Sequence, residues 1–483
     1  MWIPPSWPLV TNIGLSQSMK IYNSLTRQIE EFAPIKKGTV GVYSCGPTVY
    51  WNQHIGHMYA YVQWDSMVRL LRYNGYDVNW VINVTDVGHM VSDEDEGEDK
   101  MEKGAKREGV TVTEIAKKYT NQFLQSLDML NVQRPDVLCP ATAHINEIIE
   151  LIKKIEANGF AYKTKTGLVF DTGKFPSYAD FAGLNLADQE AGVRVEIDPE
   201  KKNPWDFLLW VTNQPNHIMQ WDSPWGMGFP GWHIECTAMS NKYLGEKFDI
   251  HTGGKEHKPV HHTNEIAQAY GAFRHQMVNY WMHNDWLVFD GEKMSKSLGN
   301  NVLVTDLVEK GFSPLALRYL ALTSHYRKGL NFTWSSLAAA QTAYEKLKMF
   351  IKSGRVEELE SRRSLSKEKL KKIDQYQARF MEAVNNDLNF PMALGVMWET
   401  LKSNIPDFDK RELILDWDQI LGLGLANPDE VKTVPEEIKK LAGDREVLRK
   451  QGKFVEADNV RMEIEKLGYT IKDTAHGTDI QPK

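Results

Sequence analysis

Apolar and polar positions along this chain follow two periods. Thr39-Val40-Gly41-Val42-Tyr43 is a short β-branched apolar run, and Met58 to Leu71 is apolar at helical spacing. Together they predict a strand, a loop and a helix, with His54 and His57 at the helix start. A second apolar run, Val78 to Val84, predicts a strand that ends at Thr85. His144 to Ala157 has a helical pattern, and a hairpin-like pair surrounds Lys165-Thr166-Gly167. Asp249 to Gly254 reads as the end of another strand, and Ile266 to Tyr270 as the apolar part of a helix opened by His261-His262. Helical patterns then dominate: a stem over about 302–345 and a bundle to about 425, joined through the charged run Arg355 to Lys372. No internal repeat or low-complexity tract interrupts this order.

Composition narrows the class. At 483 residues and 42% hydrophobic content, several packed domains are expected. No apolar run reaches the roughly 18 residues of a membrane span. The first 18 residues carry Pro4, Pro5 and Pro8 and lack a basic stretch before an apolar core, so they do not read as a secretory signal. They are expected to be a disordered extension, with Met19 as an alternative start. Three cysteines, Cys45, Cys139 and Cys236, are too few for a disulfide framework and point to a reducing, cytoplasmic setting. The net charge of −7 does not exclude an RNA partner, because such a footprint is local.

The chemistry concentrates in two strings. His54-Ile55-Gly56-His57 lies at a helix N-terminus, where free N–H groups and the helix dipole suit phosphate. Lys293-Met294-Ser295-Lys296-Ser297, with Gly291 before it and Gly299 after it, offers two mobile ammonium groups for a developing negative charge. Alone, the first string reads as a helix start with a buried histidine and the second as a solvated basic loop. In this order and context they make a nucleotide-activation site. Metal-type residues are scattered: Cys45 closes the first strand, Cys236 follows Trp232 and His233, and His261 and Glu265 share a helix face. No C-x-x-C is present, and on spacing alone the cysteines read as small buried hydrophobes rather than as ligands.

The paired strings resemble the signature of class I aminoacyl-tRNA synthetases, and the segments around Cys45, Cys236 and His261 to Glu265 resemble the cysteinyl-tRNA synthetase family. The likeness runs from Met19 to about Gly468. It implies a Rossmann-like parallel-sheet catalytic domain with an inserted connective region, followed by a helical bundle and a small anticodon-binding domain. The domains would be 19–130 and 221–301 for the two catalytic halves, 131–220 for the insertion, 302–345, 346–425 and 426–483. It implies Zn2+ held by Cys45, Cys236, His261 and Glu265, and Mg2+ carried with ATP. His54, His57, Lys293 and Lys296 would be catalytic and would hold ATP with Gly253 and Gly254. Gly46, Thr85 and Trp232 would contact L-cysteine, and His233, His251 and His262 would surround the metal. Cys139, in a turn-like stretch, matches no ligand.

At the C-terminal end, the likeness implies that Arg449, Phe454 and Asp458 read the anticodon of tRNA(Cys), although the family's aromatic is usually tryptophan. By charge alone this stretch reads equally as a solvated helical hairpin. A monomer without an editing domain is expected. The chain departs from the family at Val87-Gly88-His89-Met90, where Asp-Asp-Lys is usual, and in the charged insert Ser92 to Lys100, read as a surface loop entering a helix. It departs again at Lys258-Pro259-Val260, at Thr263 and in a tail without the final tryptophan. Two other functions remain open at this point: a ligase of the same fold that couples a cysteinyl adenylate to a small amino-sugar amine, and a non-catalytic binding protein.

Overall fold

The computed structural model describes residues 18–88, 99–184, 200–215, 217–294, 301–353, 366–426, 436–466, 469–474 and 477–482. Met1 to Gln17, most of the charged insert and the second half of the lysine signature, with Lys296, lie outside these residues. The chain divides into two compact units, Met1–Ala426 and Asn427–Lys483.

Alternation along short strands builds the first unit. In Thr39–Ser44, Val40 and Val42 enter one core and Tyr43 the other. In Asp77–Val84, Trp80 and Ile82 face the first core and Val81 the second. Such strands are buried on both faces and belong to a helix-covered parallel sheet. The sheet has five parallel strands in the spatial order Val278–Asn284, Phe248–Gly254, Thr39–Ser44, Asp77–Val84 and Val137–Pro140. Helix Ile55–Tyr73 covers one face. Helices Ile145–Ala157, Trp232–Leu244 and Thr263–Phe273 cover the other.

The chain steps outward in one direction from Thr39–Ser44, then returns to that strand's other side with Phe248–Gly254. The order therefore reverses between these two strands, and ligand crevices open at the carboxyl ends of strands flanking such a reversal. A second, antiparallel sheet joins Ala161–Lys163, Gly167–Phe170, Phe207–Thr212 and Gly228–Pro230. The hairpin expected around Lys165-Thr166-Gly167 is its first pair. The 131–220 stretch read as an insertion supplies both sheets: Val137–Pro140 is the edge strand of the parallel sheet, while Gly228–Pro230 lies beyond 220. Cys139 sits in that edge strand rather than in a turn, buried, with its thiol facing the Ile82 carbonyl at 3.5 Å. Two flanking prolines make so short a strand look like a turn.

Helices Pro314–Leu322, Trp334–Lys352, Lys367–Asn385, Phe390–Lys402 and Asp407–Leu421 extend the first core. Arg318 ties them to the sheet. Its guanidinium donates to Asp65 Oδ2 at 2.5 Å and to the carbonyls of Leu421, Leu130 and Asn131 at 2.7, 3.1 and 3.1 Å. Both side chains of the ion pair are fully buried. Asp387, in the turn Asn386 to Pro391, has φ 55° and accepts from Tyr22 N–H, Tyr326 O–H and Arg327.

The second unit has helices Glu436–Lys450 and Phe454–Lys466 and a hairpin of Tyr469–Thr474 with Gly477–Pro482. Ile438, Ala442, Ile464 and Ile471 form its apolar centre. No described helix is long and apolar enough to cross a membrane.

Removing one partner of a buried ion pair strands the other charge. Arg318→Ala is therefore expected to cost about 3–5 kcal/mol, read by urea denaturation. A loss below about 1 kcal/mol would mean that water reaches Asp65.

Candidate active site

Cys45 follows directly on the strand Thr39–Ser44, and its N–H donates to the Thr252 carbonyl of the neighbouring strand at 3.1 Å. This places the thiol at the reversal point. Helix Trp232–Leu244 brings Cys236 from the covering layer, and a π-helical turn, Lys258–His262, leads into helix Thr263–Phe273 and delivers His261 and Glu265. Single π turns inside helices often mark functional positions. The ligand atoms of Cys45, Cys236, His261 and Glu265 all lie within 4.8 Å of one another. A tetrahedral ion with bonds of about 2.0–2.3 Å places its ligand atoms at comparable separations. His261 Nδ1 is 2.8 Å from His233 Nδ1, while Nε2 is 3.2 Å from Glu265 Oε1, an oxygen with no hydrogen bond among the described residues. These residues could hold a metal ion.

A second set, Cys45, His251, His262 and Glu265, shares two members with the first. Its imidazoles are otherwise engaged. His251 Nε2 is 2.9 Å from Glu265 Oε2, and His262 stands between His283 at 2.8 Å and the Cys45 thiol at 3.2 Å. They hold the first set in place, as outer partners of metal ligands do. His283 was not singled out from the sequence. Its place at the carboxyl end of strand Val278–Asn284 was the available signal.

The charged groups of this buried cluster hold one another in place. The hydrogen bond from the Cys45 thiol brings Cys236 down to about 7, while burial pushes Cys45 well up. Burial alone would raise Glu265, but His251 and His261 outweigh it and hold the carboxyl at about 2. Burial would lower His261, but the Cys236 thiolate and Glu265 hold it up at about 10. The cluster thus pairs a thiolate and a carboxylate with cationic imidazole, and a divalent cation in their midst would satisfy the same negative groups.

The other expected residues fall around this cluster. The Trp232 ring is 4.7 Å from that of His261. Gly46 N–H donates to Asn83 Oδ1 at 2.7 Å, and Asn83 Nδ2 donates to the buried Thr85 hydroxyl at 3.2 Å. A Cβ on Gly46 would overlap the Asn83 backbone carbonyl, and one on Gly253 would sit 2.6 Å from the His262 ring. His54 caps helix Ile55–Tyr73: Gly56 N–H donates to His54 Nδ1 at 3.1 Å, and His54 N–H donates to His57 Nδ1 at 3.2 Å. Each neutral ring therefore carries its proton on Nε2. Lys293 stands in a hairpin of Leu287–Phe289 with Glu292–Lys293, its ammonium 4.4 Å from the Trp286 ring centre. Asp290 and Gly291, at φ 48° and 84°, make the two-residue turn. Buried Met294 lies against Gly56, where a Cβ would be 3.4 Å from its methyl carbon, so the two signatures adjoin. In the second unit, the Arg449 guanidinium is 5.9 Å from the exposed Phe454 ring, and Asp458 follows one helical turn later.

Residues 31–342 match the family model of tRNA synthetases class I (C) catalytic domain. A cysteine-tRNA ligase of Treponema denticola is 42% identical, with 95% of this chain and 99% of that protein covered. Cysteine-tRNA ligase 1 of Burkholderia lata is 44% identical, with 95% and 96% covered. The chain belongs to the cysteine-tRNA ligase family. Methionyl-tRNA synthetase of Mycobacterium tuberculosis, solved bound by methionyl-adenylate, has the same fold, with a TM-score of 0.58 and 14% identity over 81% of this chain and 92% of that one. This family membership agrees with the parallel sheet and the two adjoining signatures.

Gly46→Ala is expected to lower stability by about 1–3 kcal/mol, because the added methyl forces the strand-end loop off the Asn83 carbonyl. Thermal denaturation checks this, and an unchanged midpoint would mean that the loop relocates freely.

Proposed function

We propose that this protein ligates L-cysteine to the 3′ end of tRNA(Cys) in two steps, using ATP with Mg2+ to form cysteinyl-adenylate. The observation that carries the reading is the meeting of two thiols, an imidazole and a carboxylate at the sheet reversal, beside the His54 and His57 helix terminus. Zn2+ held by Cys45, Cys236, His261 and Glu265 supplies a bond to the substrate thiolate that a serine hydroxyl makes only weakly. Selection at this point makes a separate editing site unnecessary.

The chain's own groups do the rest. Trp232, its ring tilted against His261, closes the cysteine pocket, and Gly46 and Thr85 line it. Gly253 and Gly254 let the nucleotide approach the backbone. The cysteine carboxylate attacks the α-phosphate, and pyrophosphate leaves. His54 and His57 donate from Nε2–H to the phosphates, and Lys293 and Lys296 follow the charge that builds on the leaving group. No protein nucleophile is required. The terminal ribose hydroxyl of tRNA then attacks the adenylate carbonyl and releases AMP. Arg449 and Asp458 read base edges, and Phe454 stacks an unpaired base. The protein acts as a cytoplasmic monomer. Transfer to tRNA, rather than to a small amine, is favoured by the match over 99% of the length of a named tRNA ligase.

Labelled cysteine is expected to attach to total tRNA with ATP and Mg2+, and labelled serine is not. Cysteine-dependent pyrophosphate exchange without a tRNA product would overturn the choice of acceptor. Lys296→Ala should slow adenylate formation by about 10²–10³-fold with cysteine affinity nearly intact. Cys236→Ser should lose zinc and weaken cysteine binding together, as read by metal analysis and calorimetry. Full zinc occupancy in that variant would remove Cys236 from the ligand set.

A further inference from the structure

Away from this site, three residues from two distant segments meet in a second cluster. Asp99 caps helix Lys100–Glu108, Glu102 stands in its first turn, and His217 lies between strands Phe207–Thr212 and Gly228–Pro230. Their ligand atoms also fall within 4.8 Å of one another. The Asp99 and His217 side chains are 4% and 3% exposed, so charge there is poorly hydrated.

Each group is aimed inward. Asp99 Oδ1 accepts from Met101 and Glu102 N–H at 2.6 and 3.0 Å, which leaves Oδ2 directed at His217. Oδ2 is 2.6 Å from His217 Nε2, and although burial would lower the imidazole's pKa, the Asp99 carboxylate raises it above its ordinary value. Nε2 also faces the Gly88 carbonyl oxygen, at 3.2 Å. Nδ1 faces the Met219 carbonyl at 2.9 Å, and the ring stacks on Phe229 at 3.8 Å. Glu102 Oε1 accepts from Ile218 N–H at 2.8 Å, which holds its carboxylate beside the imidazole. A Cβ on Gly88 would overlap Asp99 Oδ2, so the carboxylate occupies space that only glycine leaves open.

A neutral imidazole has one N–H. Committed to the Met219 carbonyl, it leaves the Nε2 lone pair facing a carboxylate oxygen and a carbonyl oxygen. Three lone-pair atoms so close repel one another unless a cation lies among them. A proton on His217 balances one of the two carboxylates. A divalent ion balances both, and Lys106, exposed and 3.9 Å from Glu102, is a weak substitute. The Nδ1–H donation to a backbone carbonyl is also the usual outer support of a metal-bound histidine.

We infer that His217, Asp99 and Glu102, with the Gly88 carbonyl, form a second divalent-cation site. One imidazole and three oxygens, without sulfur, suit Mn2+ or Zn2+ in oxygen-rich coordination. Such an ion would fasten the segment three residues beyond Thr85 to the antiparallel sheet.

The test is Mn2+ binding by electron paramagnetic resonance to the full-length protein, without ATP, after removal of loosely held ions. Wild type is expected to bind one Mn2+ per chain saturably, and Cys236→Ser to retain it. Glu102→Gln should weaken it at least tenfold, and His217→Ala should abolish it. Glu102→Gln, at a partly exposed position, keeps the test valid if His217→Ala fails to fold. Mn2+ should also raise the melting temperature of wild type more than that of Glu102→Gln. No saturable Mn2+ below about 1 mM, or equal binding by all variants, would overturn the inference and leave a proton on His217 as the cation.

Discussion

Two parallel strands end side by side at the point where the sheet reverses, and the Cys45 N–H to Thr252 carbonyl bond locks their ends together. The chain must leave the sheet in opposite directions from there, so a crevice opens that no connection crosses. Several of the residues the proposed reaction uses are hung on that crevice. The helix after the first strand brings its N-terminus and two histidines to it, and the loop after the same strand brings Cys45. The end of the second strand brings Gly253 and Gly254.

A crevice so deeply covered has an electrostatic cost, because ionised groups lose water there. The structure offsets this by pairing. His251 and His261 face the two oxygens of Glu265, Cys236 gains from its contact with Cys45, and His262 is held between Cys45 and His283. The same logic holds at Asp65 and Arg318, where one buried pair joins the sheet to the helical bundle. There the remaining guanidinium protons meet backbone carbonyls and the Ser66 hydroxyl, so the pair rigidifies the junction and leaves few donors unmet.

Much of the fold was legible in the residue pattern. Alternation around Val40 to Tyr43 and Val78 to Val84, and helical spacing from Met58 to Leu71, describe local burial, and burial is what these segments achieve. The strand Val137–Pro140 was misread as a turn, because four residues that end on a proline, with Pro135 just before them, carry too short a period to register. The hairpin turn at Asp290-Gly291 and the role of His283 behind His262 were not legible for a related reason. Each has meaning only through a partner, Lys293 on Trp286 in one case and His262 in the other.

The sequence by itself determined the element order, the two signatures and the types of ligand available, because these depend on neighbours along the chain. Family likeness then named four metal ligands that spacing could not. The tertiary structure alone decided that Cys45, Cys236, His261 and Glu265 meet, and that His251, His262 and His283 stand behind them. It alone brought His217 to Asp99 across the chain. Periodicity records which face of a segment is buried, but not against which distant segment. That choice follows from packing and from the strand pairing of the whole sheet.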